Sequence, residues 1–227
     1  MKSKLGAPDE SRDQAEQTRE GLIRAAEKLF AEHGIARASL RAITREASAN
    51  LASVNYHFGS KDDLVRAVLA RRLEPLNQER LILLEECLRE SREAPSPETI
   101  VRIFVSPVLR MIQRERGGHA FARFVGRAFA DPDPAVSDLL LEQFREVTER
   151  FTEALARALP HLPKEEIYWR FHFMFGSMIH TAALGFVVRD ISGGLCNPAD
   201  IDGVIDRLVR FVTGGLREPA ASPEWGD

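Results

Sequence analysis

Cysteine is nearly absent from this 227-residue chain, which has only Cys87 and Cys196. Two thiols so far apart make neither a disulfide framework nor a metal-ligand spacing. A redox sensor would need a depressed thiol pKa, which a sequence does not display. The usual catalytic signatures are missing too: there is no His-Glu-x-x-His, no Gly-x-Ser-x-Gly and no glycine-rich phosphate loop. His172 and His180 stand eight apart with no acid at a supporting position in their helix. An enzyme is therefore not expected, nor is a metal or cofactor. No segment alternates with the period of a strand and no internal repeat stands out, so the expected class is all-α. The most apolar stretch, residues 164–189, is interrupted by Arg170, His172 and His180 and does not read as a membrane span. The polar N-terminus shows no signal peptide, which points to a reduced, cytoplasmic protein with no membrane partner.

Charge of one sign is also lacking, with a net of −3, but its distribution is uneven. Residues 1–73 hold 13 Lys and Arg against 10 Asp and Glu, and the remainder holds 18 against 24. A positive head on a negative body would orient the head toward a polyanion. A hydrophobic content of 44% and a charged content of 29% are those of a soluble globular protein.

The chain is organised around residues 39–61. Leu40, Ile43 and Ala47 mark one short helix, Ser48, Ala49 and Asn50 a break, and Val54 and Phe58 the core side of a second helix. Ser39 and Asn50 can cap the two helices, because each offers a side-chain oxygen to the free N–H groups of the following turn. Gly59 ends the second helix and Ser60 caps the next, with Asp63 approximating a capping box. Leu51, Ser53, Asn55 and Tyr56 are then free to face a groove. Lys61 puts a cation at a helix start, where the dipole disfavours it unless an anion is bound there.

The segment Ala-Ser-Ala-Asn-Leu-Ala-Ser-Val-Asn-Tyr-His-Phe-Gly-Ser-Lys-Asp-Asp-Leu resembles the signature of the TetR family of bacterial transcriptional regulators. The resemblance spans roughly Thr18 to Leu73, with Ser48 and Ala49 standing where Gly-Val is common. It implies that Ser39, Tyr56, His57 and Lys61 meet DNA phosphates; Arg41, on the first helix of the pair, is placed to reach phosphate or a groove edge. Asn50, Leu51, Ser53 and Asn55 are the candidates for base edges, where Asn suits adenine and Leu51 a thymine methyl.

Around this centre the chain divides into a disordered arm over 1–16, a helix-turn-helix head over 17–60, a ligand-binding and dimerisation body over 61–218, and a disordered tail over 219–227. The first helix is expected from Gln17 to His33 on Leu22, Ala25, Ala26, Leu29 and Phe30. A long helix from Ser60, kinked or divided at Pro75, joins head to body. Helices follow from Pro97, over 119–130 and 135–159, over 164–189, and from Asn197-Pro198 to Leu216, with a turn at Asp131-Pro132-Asp133-Pro134.

The body is rich in Phe and Met. Phe104, Met111, Phe121, Phe124, Phe144, Phe171, Met174, Phe175 and Met178 are either plain core or the lining of an adaptable apolar pocket. The stretch Ile167-Tyr-Trp-Arg-Phe-His-Phe-Met-Phe-Gly is similar to fatty-acid-responsive repressors of the family, which implies a fatty acid or acyl-CoA effector. On a helical wheel Ile167, Phe171, Met174, Met178 and Ala182 share one face of the 164–189 helix. Trp169, His172, Gly176, His180, Ala183 and Val187 share the other. That second face, with Ile205, Leu208 and Val212 of the last helix, is expected to meet a second subunit. The resulting expectation is a homodimeric repressor that binds palindromic operator double-stranded DNA and is released by a small apolar effector. The alternative is an acyl-binding or interaction protein without specific DNA binding.

Overall fold

A computed structural model describes residues 8–91, 93–114, 117–129 and 134–220, with side chains from residue 12 onward except at 134 and 135. Among the described residues there are ten helices and no strand, as the periodicity predicts. The head comprises α1 (Pro8–His33), α2 (Leu40–Glu46) and α3 (Leu51–His57). The long α4 (Lys61–Glu90) leads into the body, made of α5 (Pro97–Arg114), α6 (Gly118–Phe129), α7 (Pro134–Ala158), α8 (Lys164–Leu184), α9 (Val187–Ile191) and α10 (Ile201–Arg217).

The N-terminal arm expected over 1–16 is helical from Pro8. Proline is tolerated at a first helical position, and Asp9 and Glu10 suit the positive end of the dipole, so polarity alone misjudged this stretch. Residues 1–7, the 130–133 turn and the tail from 221 lie outside the described residues. The head core is closed by Leu22, Ala26 and Phe30 of α1, Ile43 of α2, Val54 of α3 and Leu64 and Val68 of α4, all shielded from solvent. Pro75 does not divide α4. It lies on the exposed side, where water is available to the carbonyl its missing N–H leaves unpaired.

In the body, α5 packs between α10 and α4, α7 lies along α4, and α6 bridges α1 and α8. The helix expected over 164–189 stops at Leu184, where the Gly185 N–H closes on Thr181 O at 2.9 Å, and α9 follows separately. The last helix begins at Ile201 rather than at Asn197-Pro198. Asp200 accepts from the Gly203 N–H at 3.1 Å and so fixes the start, while Asn197 is spent in the preceding turn. Arg170 of α8 donates to the carbonyls of Gly215, Leu216 and Glu218, capping the C-terminal end of α10 and tying the two helices together.

One expectation about this region is corrected. Ile205, Leu208 and Val212 were assigned to a subunit contact, yet they are buried inside the protomer against α5, which runs alongside α10. Ala183 is likewise buried, against α6: a Cβ built on Gly126 would sit 3.7 Å from that of Ala183. An amphipathic stripe states that a partner exists without saying which chain supplies it.

Candidate nucleic-acid interface

The reading unit is built from caps. The Ala42 N–H donates to Ser39 Oγ at 3.2 Å and starts α2. The helix ends in a pair of reversed bonds, from Ser48 N–H to Arg45 O at 3.2 Å and from Ala49 N–H to Thr44 O at 2.8 Å. This arrangement needs a left-handed residue at its centre, and Ser48 fills it at φ +52°. Glycine is the residue that adopts this conformation without strain, so Ser48→Gly should stabilise the head by roughly 1 kcal/mol in urea unfolding. An unchanged or lowered stability would contradict that account of the turn.

Asn50 then starts α3. Its Oδ1 accepts from the Ser53 N–H at 2.8 Å and from the Ser53 hydroxyl at 3.0 Å. Two of the four base-edge candidates are therefore engaged with each other, and Asn50 keeps only its amide NH₂ for a ligand. Val54 is the buried anchor of α3, while Leu51, Asn55 and Tyr56 face solvent, Tyr56 at 80% exposure. His57 is half-buried and meets the Tyr56 ring edge-on at 4.9 Å. Gly59, at φ +79°, lets the chain turn into α4, where the Asp63 N–H donates to Ser60 Oγ at 3.0 Å.

Ser39 and Arg41 are exposed on the same two-helix unit. Lys61 is half-buried; its Nζ donates to Ile35 O at 2.6 Å, and burial pulls its pKa below the ordinary lysine value. It fastens α4 to the loop after α1 and keeps two further N–H donors.

The head does not hang free. Glu27 of α1, buried, meets Arg72 of α4 at 2.7 Å and Arg71 at 3.4 Å. Phe30 of α1 stacks on Phe124 of α6 at 5.6 Å, and Arg72 lies over the Phe121 ring at 5.5 Å. Phe121 and Phe124, expected in an effector pocket, therefore lie at the junction of head and body. A second aromatic cluster fills the body: Phe104 meets Phe151 and Phe171 at 5.1 Å each, and Phe144 meets Phe175 at 5.1 Å. Met174 and Met178 are fully buried. Met111 is set apart from these, lining a cleft between α4 and α5.

The outer side of α8 is bare. Trp169 and Phe173 stack at 5.9 Å and are 52% and 61% exposed, His172, Gly176 and His180 share that side, and Val187 is exposed on α9. Phe211 of the adjoining α10 is 73% exposed. In the sequence Phe173 reads as core or pocket lining and Phe211 draws no assignment, because an aromatic residue beside a buried stripe reads as core.

The pattern described as "Bacterial regulatory proteins, tetR family" matches residues 22–68, and "Tetracyclin repressor-like, C-terminal domain" matches residues 102–215. The chain belongs to the TetR family. Members of this family are DNA-binding transcriptional regulators rather than enzymes. The curated relative HTH-type transcriptional regulator SrpR of Pseudomonas putida is 40% identical over 63 residues, 28% of this chain and 30% of that protein. The match thus spans about a third of the relative's length. In structure, the fatty acid degradation regulator FadR from Bacillus halodurans superposes with a TM-score of 0.64 at 16% identity, covering 95% of this chain and 100% of that one. FadR from Bacillus subtilis in complex with stearoyl-CoA gives 0.63 at 13% identity, covering 86% and 98%. At such identities the likeness is one of fold. Family members bind DNA and small-molecule effectors. Among the described residues no helix is long and apolar enough to cross a membrane.

Proposed function

We propose that this TetR-family regulator is a homodimeric cytoplasmic repressor that binds a near-palindromic operator and leaves it when an apolar effector enters the body. The observation that carries the reading is the bare outer face of α3, where Leu51, Asn55 and Tyr56 stand clear of a helix anchored only by Val54. Asn55 and Leu51 read base edges in the major groove, with the free amide NH₂ of Asn50 and the Ser53 hydroxyl secondary to them. Tyr56, His57, Ser39, Arg41 and the spare donors of Lys61 hold phosphates.

A single head contacts too few base pairs to be specific, so two heads must be joined. The exposed apolar side of α8 with Phe211 supports a two-fold contact there, through Trp169, His172, Phe173, Gly176 and His180 and with Val187 at its edge. Effector binding shifts the spacing of the heads only if the ligand prefers one body conformation over the other. The aromatic and methionine cluster of Phe104, Phe144, Phe171, Met174, Phe175 and Met178, with Met111 set apart in the cleft between α4 and α5, supports an acyl chain as the apolar part. So does the stearoyl-CoA bound by the Bacillus subtilis neighbour.

Selection of bound sequences from random duplexes at two salt concentrations tests the reading. A near-palindromic site should emerge, and palmitoyl-CoA or palmitate should release the protein from it. Recovery of no specific sequence would leave an acyl-binding or interaction protein instead. With the selected operator, Tyr56→Phe should weaken all sequences about equally and leave the salt dependence unchanged, because a neutral hydroxyl displaces no counterion. Asn55→Ala should relax preference at one position, costing about 1–3 kcal/mol there. Equal loss on all sequences for Asn55→Ala would remove it from base reading.

A further inference from the structure

Arg80, in the middle of α4, is 1% exposed and has no carboxylate within ion-pair distance among the described residues. Its Nε donates to Phe104 O at 2.8 Å, one terminal nitrogen to Asn77 Oδ1 at 3.1 Å, and the other to Met178 Sδ at 3.4 Å. The guanidinium carbon sits 4.2 Å from the centre of the Phe104 ring. Every one of these partners is neutral, and sulfur is a weak acceptor. Burial pushes the Arg80 pKa down to about 9, opposed by Glu79, which still leaves the group charged at neutral pH.

An unneutralised cation in a protein core is costly, and an apolar side chain of similar volume fills such a site at no loss of stability. Where a chain keeps one regardless, a functional site is the first explanation to test. The surroundings of Arg80 are ordered for the purpose. Asn77 is buried and its Nδ2 donates to Gln143 O of α7 at 2.7 Å, which turns its oxygen toward the guanidinium. Pro107 of α5 has no N–H and loosens the helix ladder near the Phe104 carbonyl that Arg80 takes.

A cleft of about 250 Å³ opens between α4 and α5, lined by Leu76, Pro107 and Met111 and by four arginines against a single acid, Glu79. Arg80 follows Leu76 by one turn on α4, and Phe104 precedes Pro107 by about one turn on α5. The Arg80–Phe104 pair therefore lies about one turn along α4 and α5 from residues that line the cleft, whose Arg71 and Arg72 are held by Glu27 and whose Arg110 is held by Asp202. Met178, unbranched and soft, is the side of the Arg80 shell that gives way most easily.

The geometry points to an effector with a free carboxylate: it enters between α4 and α5, pairs with the Arg80 guanidinium and lays its apolar part against Phe104, Met111 and Met178. This deepens the proposed function and rests on the body being the effector-binding part. The carboxylate supplies the charge the site lacks, and a bidentate pair with Arg is the strongest hydrogen-bonded arrangement open to it. Because Arg80 belongs to the helix that begins at the head, pairing there acts directly on α4.

The test uses the full chain without DNA, and matched pairs of ligand: palmitate and methyl palmitate, octanoate and methyl octanoate, 4-phenylbutyrate and its methyl ester. Palmitoyl-CoA is added as a chain whose carboxyl is masked. A ligand that binds only the folded state raises the unfolding midpoint. At least one acid should raise the midpoint by several degrees while its ester and the thioester do not. Arg80→Met, checked by circular dichroism, should abolish the shift, and Arg80→Lys should keep part of it. In the absence of ligand Arg80→Met should unfold at the same or a higher temperature than the parent protein. If it fails to fold, Arg80→Lys and the acid–ester comparison on the parent protein decide. Equal shifts from acid and ester, a full acid response in Arg80→Met, or no stabilising acid in the panel would each overturn the assignment. None of these results touches operator selection, so the two readings fail separately.

Discussion

Phe173→Asp should convert the proposed dimer to a monomer and weaken operator binding by about 100-fold or more. Phe173 lies 61% exposed on α8 and stacks on Trp169, so its ring contributes little to the protomer's own core. In a two-fold contact the same position occurs on both subunits, and each copy of the substitution places a carboxylate against an apolar partner. Large aromatics at the centre of an interface typically cost about 2 kcal/mol or more when lost, and here the loss is doubled. Gly176, with open space where a Cβ would sit, leaves room for close helix approach on the same side. Sedimentation velocity would report the association state and fluorescence anisotropy the operator affinity. Thermal stability measured at low protein concentration should barely move, which separates loss of assembly from unfolding. A dimer that survives Phe173→Asp would place the subunit contact elsewhere.

Glu27→Ala carries the second large effect, at the junction of head and body. Its carboxylate is buried and gathers Arg72 at 2.7 Å and Arg71 at 3.4 Å, both from α4, onto α1. Breaking a buried pair costs about 3–5 kcal/mol, and the partial exposure of Arg71 brings the expected loss to about 2–3 kcal/mol in urea unfolding. The functional consequence is more specific. With α1 less firmly bound to α4, a conformational change in the body reaches the head less completely, so effector should release less DNA from the variant at equal occupancy. Glu27→Gln keeps the shape without the charge and should fall between the two. Unchanged stability together with full effector release would show that the α1–α6 contacts, the Phe30–Phe124 stack and the Arg127 bond to Glu32 O, couple head to body without Glu27.

Much of the head was legible because its determinants are local. Ser39, Asn50 and Ser60 cap the helices that follow them by bonds that span three residues, and Gly59 ends α3 through its own backbone freedom. The side chains left outward on α3 follow from the one buried position, Val54. Ser48 was legible only as a departure from the usual residue; the left-handed backbone it adopts follows from the closure of α2.

The body was legible in its helices and less so in its partners. The stripe of α8 on Ile167, Phe171, Met174, Met178 and Ala182 is buried as the wheel predicts. The stripe of α10 is equally regular, but its partner is α5 of the same chain. Phe121 and Phe124 share composition with the central aromatic cluster and yet belong to the head–body junction. Arg80 gave no signal, because one arginine among many in a charged helix reads as solvated until the surrounding helices are in place.

The sequence by itself determined the class, the helix starts capped by Ser39, Asn50 and Ser60, and the family, since each depends on residues within a few positions of one another. Tertiary structure alone decided which apolar faces are satisfied within one subunit, which residues join head to body, and that Arg80 is buried with no carboxylate in ion-pair distance among the described residues. Those are properties of contacts between helices far apart in the chain, and a one-dimensional pattern records that a face needs a partner without recording which partner it finds.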